Sequence, residues 1–439
     1  MSMNPRETTD KIRTDYQDYI ASILSVKDQQ ITELAHSSVR GTEFVKGPYL
    51  ETTLPFVEGK SLKKHAEDVL VSKEFGKMGP SVHYEDWNLR IHQENALRHI
   101  IEDDRNMVVS TGTGSGKTEC YLYPIFNSIM REKEAGTLDA GVRALLIFPM
   151  NALANDQQKK LRKLLKDYPD ITFGRYTGET EHKRKKETAE QAEKRLHDEY
   201  DANHITDSEE VYRKSIPNEL MCREMMAEKP PHILLTNYAM LEFMLLQPDT
   251  APFFDNASAK NWQFIVIDEA HTYKGANGTE IAYLLRRVKE RIRHNMNNPF
   301  RCTATSATLG SEDGKAGLAQ FAENLFDEPF SAEDVITTKR INREKPADGH
   351  EFSPSEYIKL KEKTKDMTEI EKGAVLYEAL SKDLRLFKVY ESLKSKPKKT
   401  GDVASTVFED IVSDRDKEAA LIDLIELGAA AKKSEYESA

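Results

Sequence analysis

Cysteine is scarce in this chain: Cys120, Cys222 and Cys302 are the three among 439 residues, and no two form a C-x-x-C pair. That spacing argues against structural disulfides and a zinc ribbon, and it fits a reducing cytoplasm. Long apolar runs are missing as well. No stretch approaches the ~20 residues of a membrane-crossing helix, and no signal-peptide hydrophobic core opens the chain. A basic excess is also absent, with 63 Lys and Arg against 74 Asp and Glu and a net charge of −11. This balance argues against a general polyanion binder, while local phosphate contacts through backbone amides stay available. What remains is 38% hydrophobic and 31% charged, a globular composition with a wet surface, in a length that suits two or three domains.

The most informative stretch is residues 110–118, Ser-Thr-Gly-Thr-Gly-Ser-Gly-Lys-Thr. Met107-Val108-Val109 before it reads as a short buried strand, and Lys117 to about Met130 has helical apolar spacing at Leu122, Ile125, Phe126 and Ile129. Strand, glycine-rich turn and helix start are what a phosphate-cradling loop requires, because the backbone must curl until successive N–H groups converge. Lys117 is then placed for the β- and γ-phosphates and Thr118 for Mg²⁺. The first position of the usual pattern is Thr111 instead of glycine, while Gly114 and Gly116 are kept. The bland alternative is a Gly/Ser/Thr surface turn.

A second motif lies downstream. Phe264-Ile265-Val266-Ile267 is a continuous apolar run, as a parallel strand covered on both faces requires, and it ends in Asp268-Glu269-Ala270-His271. At such a strand end Asp268 suits Mg²⁺ held through a water, Glu269 suits a general base, and His271 is a catalytically sensible neighbour. Further motifs follow or precede predicted strands: Leu89–Gln93 upstream, Phe148–Gln157 after Ala144–Ile147, Thr177-Gly178-Glu179 after Ile171–Phe173, Thr236–Leu241 after His232–Leu235, and Ser306-Ala307-Thr308 after Cys302–Thr305.

As an ordered set these motifs resemble the superfamily 2 helicases over roughly residues 84–330. The resemblance implies a RecA-like α/β domain, a parallel sheet flanked by helices, with ATP and Mg²⁺ as cofactors. It implies that Gln93 reads adenine, and that Arg90, Thr113, Gly114, Ser115, Gly116, Lys117 and Thr118 belong to the nucleotide site. Asp268, Glu269 and His271 would complete the catalytic set with Lys117, with Thr118 and Asp268 as metal holders. Ser306 and Thr308 would couple the ATP state to strand movement. Asn151, Thr177, Gly178 and Thr236 would contact the nucleic-acid backbone. The wording at 151–157 and at His271-Thr272-Tyr273-Lys274-Gly275 looks more like the MrfA-type bacterial helicases and their phage-defence relatives, DrmA of DISARM and DruE of Druantia. That favours DNA, single-stranded or at a duplex junction, with defence-complex subunits as further partners and no membrane.

The expected organisation has three parts. Residues 1–83 read as a helical leader, with Ile20, Ile23, Leu24, Ile31 and Leu34 at helical spacing. Packing on the motor's flank is the simpler role, and strand loading the alternative. Residues 84–330 form the motor. The span from Lys117 to Asp268 exceeds four strand–helix units of ~30 residues, so an insertion is placed at about 179–229. Its cluster Lys183-Arg184-Lys185-Lys186 lies among Glu181, Glu187 and Glu190 and reads as a solvated face, as does the run Lys159–Lys163. Residues 331–439 read as a mainly helical insert, and no Q-x-x-G-R-x-G-R-like motif follows residue 310. The chain is therefore expected to be the N-terminal portion of a helicase, its second RecA-like domain lying in a longer protein or a partner chain. Alone it should bind ATP but hydrolyse it poorly, since an arginine finger is worth ~10³–10⁵ in turnover. An RNA helicase, and a nucleotide-gated assembly module that does not translocate, are the alternative readings.

Overall fold

The computed structural model describes all residues except 1–4, 25, 43, 45–46, 53, 86, 113, 205–213, 256–259, 294–299, 308–313, 395, 435–436 and 439. It divides into two compact units, one of residues 56–340 and one of residues 1–55 with 341–439.

The strands of the first unit are β1 (Glu58–Ser61), β2 (Asn88–Arg90), β3 (Met107–Ser110), β4 (Ala144–Phe148), β5 (Phe173–Arg175), β6 (Glu219–Leu220), β7 (Ile233–Asn237), β8 (Phe264–Ile267), β9 (Arg301–Ser306) and β10 (Val335–Thr337). β1 and β2 form an antiparallel pair. The other eight make one parallel sheet in the order β10-β3-β9-β8-β4-β7-β5-β6. Its main helices are α1 (Ile91–Ile101), α2 (Lys117–Glu134), α3 (Asn151–Leu165), α4 (Ala189–Asn203), α5 (Tyr238–Leu246), α6 (Ala276–Arg293) and α7 (Lys315–Phe326).

Strands β4 and β8 are apolar at every position because both faces are covered. Val109, Leu146 and Val266 join a core with Leu122, Phe126 and Leu161 of α2 and α3. Their chain neighbours Val108, Leu145 and Ile265 point the other way, into a core with Leu241, Leu285 and Phe326 of α5, α6 and α7. A strand's period of two thus splits each apolar run between two layers. Each such side chain contributes roughly 1.5–3 kcal/mol of burial, so a charge at Val266 would break the layer. This is the RecA-like α/β domain expected from the motif order.

The insertion contributes ordered structure. Thr188 caps α4 through a reciprocal bond with Gln191, and β6 pairs with β5 at the sheet edge. Arg184 reaches Glu199 at 3.0 Å, in keeping with a solvated basic face. One expectation is corrected here. Arg162, read as part of a wet helix face, is 2% exposed and forms a two-pronged ion pair with Glu219 of β6, at 2.7 Å for each prong. The helix face that carries it meets the insertion, which helical spacing cannot reveal.

The second unit is mainly helical. Pro354–Lys363, Glu369–Leu380, Leu384–Leu393, Thr400–Val407 and Asp414–Ala430 enclose Tyr357, Leu376, Leu380, Phe408, Leu421 and Leu424. Tyr49–Leu50 pairs with Lys398–Lys399 as a short antiparallel ribbon in the same unit. Among the described residues no helix is long and apolar enough to cross a membrane.

Candidate active site

Because the eight-stranded sheet is parallel, each of its motif-bearing strands delivers its loop to the same edge. The loop after β3 curls through Gly114 at φ +72° and Gly116 at φ +80°, backbone that favours glycine, and Lys117 opens α2. A Cβ at Gly116 would also fall 2.3 Å from Gln93 Nε2, so the Gln93 amide would have to leave its place. The hydroxyls of Thr111 and Ser115 bond to each other at 2.5 Å, and both residues are buried. Thr113 lies outside the described residues.

Three side chains around the start of α1 hold three successive carbonyls of this loop. Arg90 Nη1 donates to Gly114 O at 2.8 Å, His92 Nε2 lies 2.8 Å from Ser115 O, and Gln93 Nε2 donates to Gly116 O at 3.2 Å. A planar trans peptide points its C=O and the next N–H in opposite directions. Carbonyls turned toward α1 therefore aim the N–H groups of Ser115, Gly116 and Lys117 away from it, which is the polarity of an anion nest. Burial pushes the His92 imidazole down from its ordinary pKa, keeping it neutral. Gln93 Oε1 accepts from Arg90 N at 2.9 Å, which fixes the amide's orientation and leaves one N–H and one acceptor position for a ligand.

The acid pair arrives beside this loop. Asp268 is 7% exposed at the end of β8, and burial pushes its carboxyl pKa up, opposed by a hydrogen bond from the Thr305 hydroxyl and reinforced by Glu269. Glu269 takes a left-handed φ of +49°, uncommon without glycine. Its Oε1 lies 3.0 Å from Lys117 Nζ and its Oε2 3.2 Å from His271 Nδ1. Thr118 is half-buried in the first turn of α2. Ser306 O accepts from Thr111 N at 3.1 Å, tying β9 to the phosphate loop, while Thr308 lies outside the described residues.

The candidate strand-binding residues divide in two. Thr236 is fully buried and its hydroxyl donates to Tyr176 O at 2.7 Å. Thr177 is also fully buried, and its hydroxyl accepts from Arg175 Nη1 at 3.0 Å. Both hydroxyls are thus engaged by partners within the chain. Gly178 is exposed, with open space where a Cβ would stand. Asn151 is linked to Asn237 Nδ2 at 2.7 Å and to Glu179 Oε1 at 3.0 Å, a polar chain along the edge that joins three motifs. His92, Thr305, Arg175 and Asn237 were missed by sequence reasoning. His92, Thr305 and Asn237 stand directly beside expected residues, so adjacency was the signal that could have found them.

A family model of the DEAD/DEAH box helicases matches residues 90–197 and 186–315, which takes in every motif just described. The chain belongs to this family. Among the members it resembles, the Druantia protein DruE of Escherichia coli (strain UMEA 4076-1) is 29% identical over 399 residues, 73% of this chain and 21% of that protein. The ATP-dependent helicase YprA of Bacillus subtilis (strain 168) is 29% identical over 231 residues, 52% of this chain and 24% of that helicase. A crystal structure of the DUF1998 helicase MrfA bound to DNA is 22% identical with a TM-score of 0.45, covering 71% of this chain and 34% of that one. This helicase-family chain spans about a fifth to a quarter of the length of the curated relatives it matches.

Proposed function

We propose that the chain is the first motor domain of an ATP-dependent DNA helicase or translocase that uses Mg²⁺. The supporting observation is the 3.0 Å approach of Lys117 Nζ to Glu269 Oε1, which brings the phosphate loop and the acid pair into one site. The residues fit a magnesium-bound triphosphate. The loop's N–H groups and Lys117 suit the phosphates, Thr118 and Asp268 suit the metal, and Gln93 has one donor and one acceptor left for adenine beside Arg90. Bound Mg²⁺ supplies Lewis-acid neutralisation of the phosphate oxygens. Glu269 takes the proton of the attacking water, with His271 Nδ1 as its neighbour 3.2 Å from Oε2. Lys117 releases Glu269 and turns to the phosphates as nucleotide enters. Ser306 and Thr308 relay the change to the strand-binding edge, where Asn151 and Gly178 meet the nucleic-acid backbone and Thr177 and Thr236 hold the loops behind them.

DNA is preferred over RNA on the MrfA-type wording of residues 151–157 and His271–Gly275. The second motor domain, from the longer protein or a partner chain, supplies the arginine finger. Among the described residues only one unit holds a parallel sheet, which supports this half-motor reading. Together with the net charge of −11 it also supports a second reading, a nucleotide-gated module of a defence complex that does not move along a strand. Calorimetry with magnesium and a non-hydrolysable ATP analogue tests the site: the parent should bind and Lys117→Ala should not. Tighter binding of single-stranded RNA than DNA of one sequence would overturn the choice of nucleic acid. Capture of a stoichiometric protein partner that needs ATP but no nucleic acid would favour the second reading.

A further inference from the structure

Thr305 stands one residue before the Ser306–Thr308 motif, fully buried on the strand between β3 and β8. The last registered pair of β9 with β8 is Ala304 with Ile267, so Thr305 and Asp268 are the next residues on the two strands. One hydroxyl there serves both acids. Thr305 Oγ1 donates to Asp268 Oδ1 and accepts from Glu269 N at 3.1 Å. Glu269 needs such a partner because its left-handed backbone, at φ +49°, persists only where the surroundings hold it. The next residue of the same strand binds the phosphate loop through Ser306 O and Thr111 N, so the hydroxyl sits on a strand anchored on both sides.

We propose that Thr305 is the positioning residue of the acid pair, setting how tightly the site takes Mg²⁺ by pinning Asp268 through one carboxylate oxygen and Glu269 through its backbone. The proposal rests on the nucleotide-site reading above. A carboxylate pinned at Oδ1 meets a hydrated cation already oriented, so less ordering is left for the metal to impose. Val matches Thr in shape and lacks the hydroxyl. Ser keeps the hydroxyl and loses a methyl.

The test is binding of a fluorescent non-hydrolysable ATP analogue to the 439-residue chain across a magnesium titration, with an EDTA control. Thr305→Val should raise the magnesium needed for half-saturation by about tenfold, the value of a hydrogen bond to a charged group, and leave metal-free nucleotide binding unchanged. Thr305→Ser should stay within about twofold of the parent. If Thr305→Val does not fold, as judged by its melting temperature, Thr305→Cys takes its place, since a thiol is a weak donor of similar size. Parent-like magnesium dependence in the Val or Cys variant overturns the proposal and leaves the nucleotide site standing. Failure of the parent itself to bind the analogue overturns both.

Discussion

Arg162 grips Glu219 with two parallel hydrogen bonds of 2.7 Å, from Nε and Nη2, and the carboxylate is fully buried. The pair clamps the insertion's edge strand to α3, with Gln158 Nε2 adding a third contact at 2.6 Å. Replacing one partner strands the other charge. Arg162→Leu is therefore expected to cost about 3–5 kcal/mol in urea unfolding, and adding Glu219→Leu should recover most of it. Equal losses for the single and double variants would show that packing, not charge, is what Arg162 supplies.

Two glycines should behave in opposite ways. Gly116 combines φ +80° with a Cβ direction that would displace the Gln93 amide, so Gly116→Ala is expected to distort the loop and weaken Mg–ATP binding by at least about tenfold. Gly178 has open space around it. Gly178→Glu should leave the melting temperature unchanged while weakening single-stranded DNA binding about tenfold through repulsion of the phosphates. Fluorescence anisotropy and thermal melting separate the two effects.

Glu269→Gln keeps the shape of the site and removes the proposed base. With the second motor domain supplied, turnover should fall about 10²–10⁴-fold while nucleotide binding persists. Phosphate-release kinetics at wild-type rate would remove Glu269 from that role. Without the second domain even the parent should turn over slowly, and steady hydrolysis by the isolated chain that Lys117→Ala abolishes would contradict the half-motor reading.

Acid should weaken the sheet through His232. Burial and the neighbouring Arg143 push its pKa down to about 4. It accepts from Thr172 N at Nδ1, at 3.0 Å, with Nε2 3.1 Å from Asp139 O, so the neutral ring is the one that fits. A depressed folded-state pKa means the contribution is complete above the unfolded value and is lost as pH falls from about 6.5 toward 4. The loss from this residue reaches about 3 kcal/mol. His65 and His92, also lowered by burial, act in the same direction, while His197 is raised by Glu193 despite its burial and opposes them. Urea unfolding at pH 7 and pH 5 should show the fall, and His232→Asn should flatten part of it.

The candidate nucleotide site was legible because its chemistry is local. Gly114, Gly116 and Lys117 lie within one turn of chain, and Asp268 directly follows four apolar residues that only a doubly covered strand tolerates. Motif spacing and strand period by themselves marked the glycine-rich loop and the acid pair, and the family resemblance that they carry implied the α/β architecture. Only the tertiary structure decided which side chains serve at a distance. Arg90, His92 and Gln93 reach the loop from the junction of β2 and α1, Thr305 reaches two acids from the next strand, and Arg162 turns inward to meet the insertion. The hydroxyls of Thr177 and Thr236 take the Arg175 guanidinium and the Tyr176 carbonyl as partners for the same reason. A buried polar group takes whatever partner packing brings within reach, and sequence spacing carries no record of that partner.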